Sequence, residues 1–185
     1  MASPVMHLAI AKKYLDNNKN INVQEFIKGT LYPDATHDKD KTHYTKLSRG
    51  KDVISHLNGK VDLFKFLKEH ESLNDFETGW LLHLVTDYLF FDECFNKKYL
   101  ENICYEDFCK DLYYAYDCLN LYLEKKYNIT KDYYKDYPNE YYPGRGYKKC
   151  ILSKEEIDKF IEHVSSINLE KYIIKIKDNG ENIKP

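Results

Sequence analysis

Gly79-Trp80-Leu81-Leu82-His83-Leu84-Val85-Thr86-Asp87-Tyr88-Leu89-Phe90-Phe91 is the most apolar run in a chain otherwise thick with Lys, Asp, Glu and Asn, yet it carries two ionisable side chains. Phe76, Trp80, His83, Leu84 and Asp87 recur at three-to-four spacing, which predicts a long helix from Leu73 or Asn74 to Phe95. On such a helix, residues four apart project about 40° from each other, so His83 and Asp87 share a face one turn apart. A carboxylate taken out of water without a partner costs several kcal/mol, so a buried Asp87 requires a cation beside it. A proton, an arginine or a metal ion would serve.

Working outward, the helical pattern continues on both sides. Ser3 followed by Pro4 is a helix start, and a helix from Pro4 to Asp16 puts His7 on a flank with Ile10, Ala11 and Tyr14. "VQEFIKG" predicts a short helix stopped by Gly29, and "TLYPDATHDKDKTHYTKLSRG" a long loop holding Asp34, His37 and His43. Helices are expected from Asp62 to Glu69 and from Tyr105 to Tyr127, the latter with Phe108, Leu112, Ala115, Leu119 and Tyr122 inward. Ser153 with Glu156 is a capping box opening a helix to Val164. The segment Leu169 to Lys177 is divided between helix and strand, because Ile173, Ile174 and Ile176 suit both. Between Tyr127 and Tyr147 seven tyrosines, Pro138, Pro143, Gly144 and Gly146 form an aromatic-rich loop that also holds Arg145, a candidate phosphate clamp. The expectation is an all-α fold, one multi-helix bundle domain over residues 1–185.

Bulk properties narrow the function classes. A chain of 185 residues buries roughly 70% of its unfolded surface and needs no metal simply to have a core. With 28 basic and 30 acidic residues the net charge is −2, and neither sign is concentrated, so no nucleic-acid footprint is visible. Nothing marks an oligomeric interface. No apolar run reaches the ~20 residues of a membrane span, and the start of the chain lacks the basic flank and cleavage site of a signal peptide. Five cysteines, an odd number without zinc-finger spacing, fit a reduced interior. A soluble, cytoplasmic protein is expected.

Neutral imidazole and carboxylate oxygen are the usual ligands of zinc in hydrolytic sites, and His7, Asp34, His43, His83 and Asp87 are the candidates. A bundle core can bring the inward faces of two helices and a tucked loop to one point. Taken singly, each residue also suits an ordinary role: His7 as a core histidine bonded to a carbonyl, His83 and Asp87 as a hydrogen-bonded core pair. His37, His56, His70 and His163 lie in polar surroundings and are expected at the surface.

The order of motifs adds to this. "HLAIA" at the start, "FIKGTLYPDA" with Gly29 and Pro33-Asp34, "KTHY" with His43, and "GWLLHLVTD" together resemble the zinc-dependent phospholipase C family, which is related to the single-strand-specific zinc nucleases. The resemblance covers Met6 to Asp87 and, more weakly, the helical remainder. It implies an all-α fold with a metal cluster in which Asp34, His43, His83 and Asp87 hold one zinc. Asp87 would bridge to a second ion held by His7. After Asp87 only His163 remains, with Ile167 four residues on, so the later His-x-x-x-Glu pair of fuller members is absent and one or two zinc ions are expected. The implied activity is phosphoric ester hydrolysis with a metal-bound water as nucleophile and Asp34 as the catalytic group that orients or deprotonates it. The partner would be a phosphoester small molecule or a lipid head group. Two other readings compete: a non-catalytic metal-binding helical domain, and a phosphohydrolase of the other all-helical histidine-aspartate superfamily, for which His37-Asp38 is the only support.

Overall fold

The computed structural model describes residues 2–45, 53, 61–130, 132 and 151–185, and the described residues are all-α. They form nine helices: α1 (Pro4–Asn17), α2 (Val23–Ala35), α3 (Lys39–Thr42), α4 (Leu63–Glu69), α5 (Asp75–Cys94), α6 (Lys97–Glu101), α7 (Tyr105–Tyr127), α8 (Lys154–Ser166) and α9 (Leu169–Asn179). The sole β feature among them is an isolated antiparallel bridge between Thr45 and Val61. No helix among the described residues is long and apolar enough to cross a membrane.

The apolar run is the spine of the bundle. Leu81, Leu82, Leu84, Val85, Leu89 and Phe90 of α5 are all buried, on every side of the helix, as a helix apolar all round must be. Its start is set by Asn74, which accepts from the Glu77 amide while the Glu77 carboxylate returns to the Asn74 amide, satisfying two otherwise orphaned donors. Helix α2 packs most extensively against α5, while α1 lies across α2, α7 and α8. Phe90 meets Phe95 and Phe160, and Phe95 meets Phe108, closing the far end of α5 with rings from α7 and α8.

Two sequence expectations are overturned in the segment before the site. Gly29 does not stop a helix; α2 runs on through it and through Pro33 to Ala35. Gly29 is there for proximity rather than for termination. A Cβ on it would fall 1.8 Å from the Phe76 carbonyl oxygen, and one on Gly79 would fall 2.0 Å from that of Phe26, so the backbones of α2 and α5 touch where the glycines cross. The expected long loop gives its first third to α2 and Lys39–Thr42 to α3, and its residues 46–50 lie outside the described residues.

Elsewhere the elements follow expectation, with α9 resolved as helix. Leu169, Tyr172 and Ile176 face inward at three-to-four spacing, and Gly180 closes the helix at φ +70°. The short α6, capped by Asn96, had no periodic signal in the sequence. Most of the tyrosine-rich loop, with Arg145, and also His56, lie outside the described residues.

Candidate metal centre

All five candidate ligands meet in one buried place. His7 comes from α1, Asp34 from the last turn of α2, His43 from the residue after α3, and His83 and Asp87 from the middle of α5. Their side chains are 1% (His7), 8% (Asp34), 1% (His43), 0% (His83) and 2% (Asp87) exposed, which makes Asp34 the one nearest to solvent. The glycine crossing sets this up: with α2 and α5 in backbone contact, the Thr30 carbonyl of α2 comes within 2.8 Å of His83 Nδ1 on α5.

The hydrogen bonds define what each ring offers. A carbonyl oxygen can only accept, so His83 Nδ1 donates to Thr30 and His43 Nδ1 donates to the Lys39 carbonyl at 2.8 Å. In the neutral rings this leaves both Nε2 atoms as lone pairs, and they face each other at 3.1 Å. Asp34 Oδ1 stands 3.3 Å from His43 Nε2, and Asp87 Oδ2 stands 3.4 Å from His83 Nε2 and 3.6 Å from His43 Nε2. Acceptors this close repel unless a cation lies among them.

The spacing also leaves room for a metal ion among these atoms. Four N and O donors, each about 2.0–2.1 Å from a tetrahedral ion, lie about 3.3 Å from one another. Among His43 Nε2, His83 Nε2 and Asp87 Oδ2 the separations are 3.1, 3.4 and 3.6 Å, and Asp34 Oδ1 lies 3.3 Å from His43 Nε2, all close to that value. Asp87 Oδ2 is buried without a hydrogen-bond partner, as are both ring nitrogens of His7. These buried imidazole and carboxylate groups could therefore hold a metal ion.

A second ion finds less support in the same atoms. The donors fall into two triads, His7-His83-Asp87 and Asp34-His43-His83, and His83 belongs to both. With Nδ1 committed to Thr30, His83 has one nitrogen to give. Asp87 Oδ1, the other atom that a second ion would use, already accepts the Ala2 amide at 2.8 Å. His7 instead lies flat on His83, ring centroids 3.7 Å apart, with its Nε2 3.4 Å from Asp87 Oδ1.

Electrostatics match a cluster that must share positive charge. Burial and then the neighbouring His83 push His7 below the ordinary imidazole range. Burial also pulls His83 down, but the Asp87 and Asp34 carboxylates outweigh it and raise it. Burial alone would raise Asp87; the charges of His7 and His83 reverse that and hold it well below the usual carboxylate range. Asp34 is lowered against its burial by His43, His83 and His7. Without metal, these carboxylates favour protonation of His83.

The loop carrying His43 is pinned from several sides. Thr42 Oγ1 donates to the Pro33 carbonyl at 3.1 Å, and the Trp80 indole N–H donates to the Thr42 carbonyl at 2.8 Å. Tyr44, at φ +53°, donates its hydroxyl to Glu69 at 2.8 Å and lies 3.3 Å from His70 Nε2. His70 is half-buried, stacked on Phe66 and bonded to Glu77 at 2.8 Å, so its expected surface placement is corrected. His37 is exposed and belongs to neither triad, and Asp38 only precedes α3 without a side-chain cap. His163 is exposed and pairs with Glu93.

Sequence reasoning missed the groups that orient the candidate ligands: the Thr30 and Lys39 carbonyls and the Ala2 amide. All three are backbone atoms. Residue type carries no signal for them. No protein-family model, curated protein or solved structure matches the chain.

Proposed function

We propose that the chain is a metal-dependent phosphoric ester hydrolase holding one zinc ion through Asp34 Oδ1, His43 Nε2, His83 Nε2 and Asp87 Oδ2. The observation that carries the reading is the pair of imidazole lone pairs facing each other at 3.1 Å with two carboxylate oxygens alongside, whose ion-pair partners among the described residues are histidines alone. A dication bound there lowers the pKa of water and offsets charge on a phosphoryl group. The likeness of the four sequence motifs to the zinc-dependent phospholipase C family supports the same chemistry. Asp34, the most exposed of the donors, is the residue assigned to orient or accept a proton from the attacking water. The substrate class is a phosphoester of a small molecule or a lipid head group.

One feature favours a second reading, a non-catalytic metal-binding domain. Structural zinc sites are closed, whereas catalytic ones keep a position open, and the five side chains are at most 8% exposed. The test separates the two. Purified protein is assayed for metal content and for turnover of bis(nitrophenyl) phosphate, nitrophenyl phosphate and phosphatidylcholine vesicles. About one zinc per chain with slow, chelator-sensitive hydrolysis that is restored by zinc and lost in Asp34→Asn supports the enzyme. Full zinc content without turnover above zinc in buffer leaves the metal-binding domain in its place.

A further inference from the structure

The two oxygens of Asp87 live in different surroundings. Oδ1 accepts the Ala2 amide at 2.8 Å, while Oδ2 has no hydrogen-bond partner and faces His83 and His43. The two oxygens are chemically equivalent and the terminal carboxylate torsion is broad, so what the aspartate itself leaves open is the rotation of the group, with one oxygen towards the Ala2 amide and the other towards the imidazoles. That rotation must be set from outside.

Ala2 lies ahead of α1, and its amide is only as well placed as the residue that anchors it. That residue is Ser3, 3% exposed, whose hydroxyl has two jobs. Its lone pair accepts the Met6 amide at 3.2 Å as the cap of α1, and its single proton goes to Asn120 Oδ1 of α7 at 2.8 Å. A hydroxyl can do both at once, since donor and acceptor are separate. The cap serves the helix; the bond to Asn120 ties the start of the chain to an element 117 residues away.

We propose that the Ser3–Asn120 hydrogen bond is a latch that holds the Ala2 amide on Asp87 Oδ1, so that Oδ2 is the oxygen presented to the ion, making Ser3 and Asn120 positioning residues of the metal centre. The proposal rests on the metal-centre reading above. Partners that orient a ligating carboxylate commonly change metal affinity about 10–100-fold when removed. Asn120 touches none of the five ligands in the pattern of bonds that links it to Ser3, so its effect travels through the Ala2 amide.

The experiment uses the full chain with Asn120→Leu, which breaks the latch and leaves the Ser3 cap, and Asn120→Ala as a second latch-breaking variant. Asn120→Asp and Ser3→Thr keep an acceptor and a hydroxyl. Zinc affinity is measured by chelator competition, the cobalt(II)-substituted proteins are compared by visible absorption, and exchange of the Ala2 amide is followed in metal-free protein. The expected result is zinc binding about 10–100-fold weaker in both latch-breaking variants, with an altered cobalt spectrum and faster Ala2 exchange. Asn120→Asp and Ser3→Thr should remain close to wild type. Wild-type affinity and spectrum in Asn120→Leu or Asn120→Ala overturn the latch, as does an Asn120→Asp variant as impaired as Asn120→Leu. A wild-type protein that binds neither metal overturns the metal centre itself, and the latch with it.

Discussion

Gly29 of α2 and Gly79 of α5 cross at backbone contact, each lying where a single added carbon would collide with a carbonyl of the other helix. That crossing brings Thr30 against His83, so one packing detail determines both the core and the orientation of a candidate ligand. Gly29→Ala and Gly79→Ala should each destabilise the protein by about 1–3 kcal/mol through overpacking, read as a lower denaturant midpoint. Because α2 must shift away from α5, zinc affinity should fall too. A Gly79→Ala protein as stable as wild type would show that the helices have room to part.

Ligand assignments are tested by metal content. His43→Ala and His83→Ala should lose stoichiometric zinc, while His37→Ala, altering an exposed ring outside both triads, should keep it. His7→Ala is the informative intermediate: with one ion on the Oδ2 side of Asp87, it should retain close to one zinc per chain at reduced affinity. Loss of a second equivalent of metal on replacing His7 would instead establish a paired site.

Trp80 is the chain's single tryptophan and its indole donates to the Thr42 carbonyl beside His43. Replacing it with Phe keeps most of the packing but leaves a buried carbonyl without a donor, at a cost of about 1–3 kcal/mol. The same position makes Trp80 a reporter. Zinc addition should change its fluorescence in wild type and leave that of His83→Ala unaltered, which a titration at fixed protein concentration would read.

The pH dependence contributed by His83 in the metal-free protein runs opposite to that of zinc binding. In the metal-free protein the raised pKa of His83 contributes stability that is complete below the unfolded value of 6.5 and is lost as pH rises through the folded value. The lowered pKa values of Asp87 and Asp34 contribute above 3.8 and are lost as pH falls through their folded values, whereas His7, lowered, costs stability below 6.5. Zinc requires deprotonated ligands, so its stabilisation grows as pH rises. The gap in melting temperature between zinc-loaded and chelated protein should therefore widen from pH 6 to pH 8. A constant gap would mean that no imidazole proton is released on binding.

The α5 spine and the five candidate residues were legible from periodicity and residue type, whereas their grouping into one ligand set came from the resemblance of the four motifs. His83 and Asp87 announce themselves as ionisable groups on an apolar helix, and Asn74 and Ser153 as capping residues. The reading of Gly29 failed for a definable reason. A glycine ahead of a proline at position 33 resembles a helix end locally, and only the partner backbone at Phe76 reveals that its role is close approach. Pro33 is tolerated in the final turns of α2, although it has no amide to return to the Gly29 carbonyl. Likewise α9 became helix because its inward face is spaced three and four apart, which outweighs the strand preference of its isoleucines.

The Ala2–Asp87 hydrogen bond joins positions 85 apart, and the centre as a whole gathers three distant portions of the first half of the chain. Contacts of that span close large loops and form after local helices have settled. An ion held among them would stabilise the native state more than the folding transition state, and so would act mainly as a brake on escape from the native state. Zinc should then lengthen the lifetime of the folded protein, flattening nothing on the refolding limb while lowering the unfolding limb of its kinetics. Resistance to proteolysis would follow metal supply in minutes or hours, long after any change in average structure could be detected.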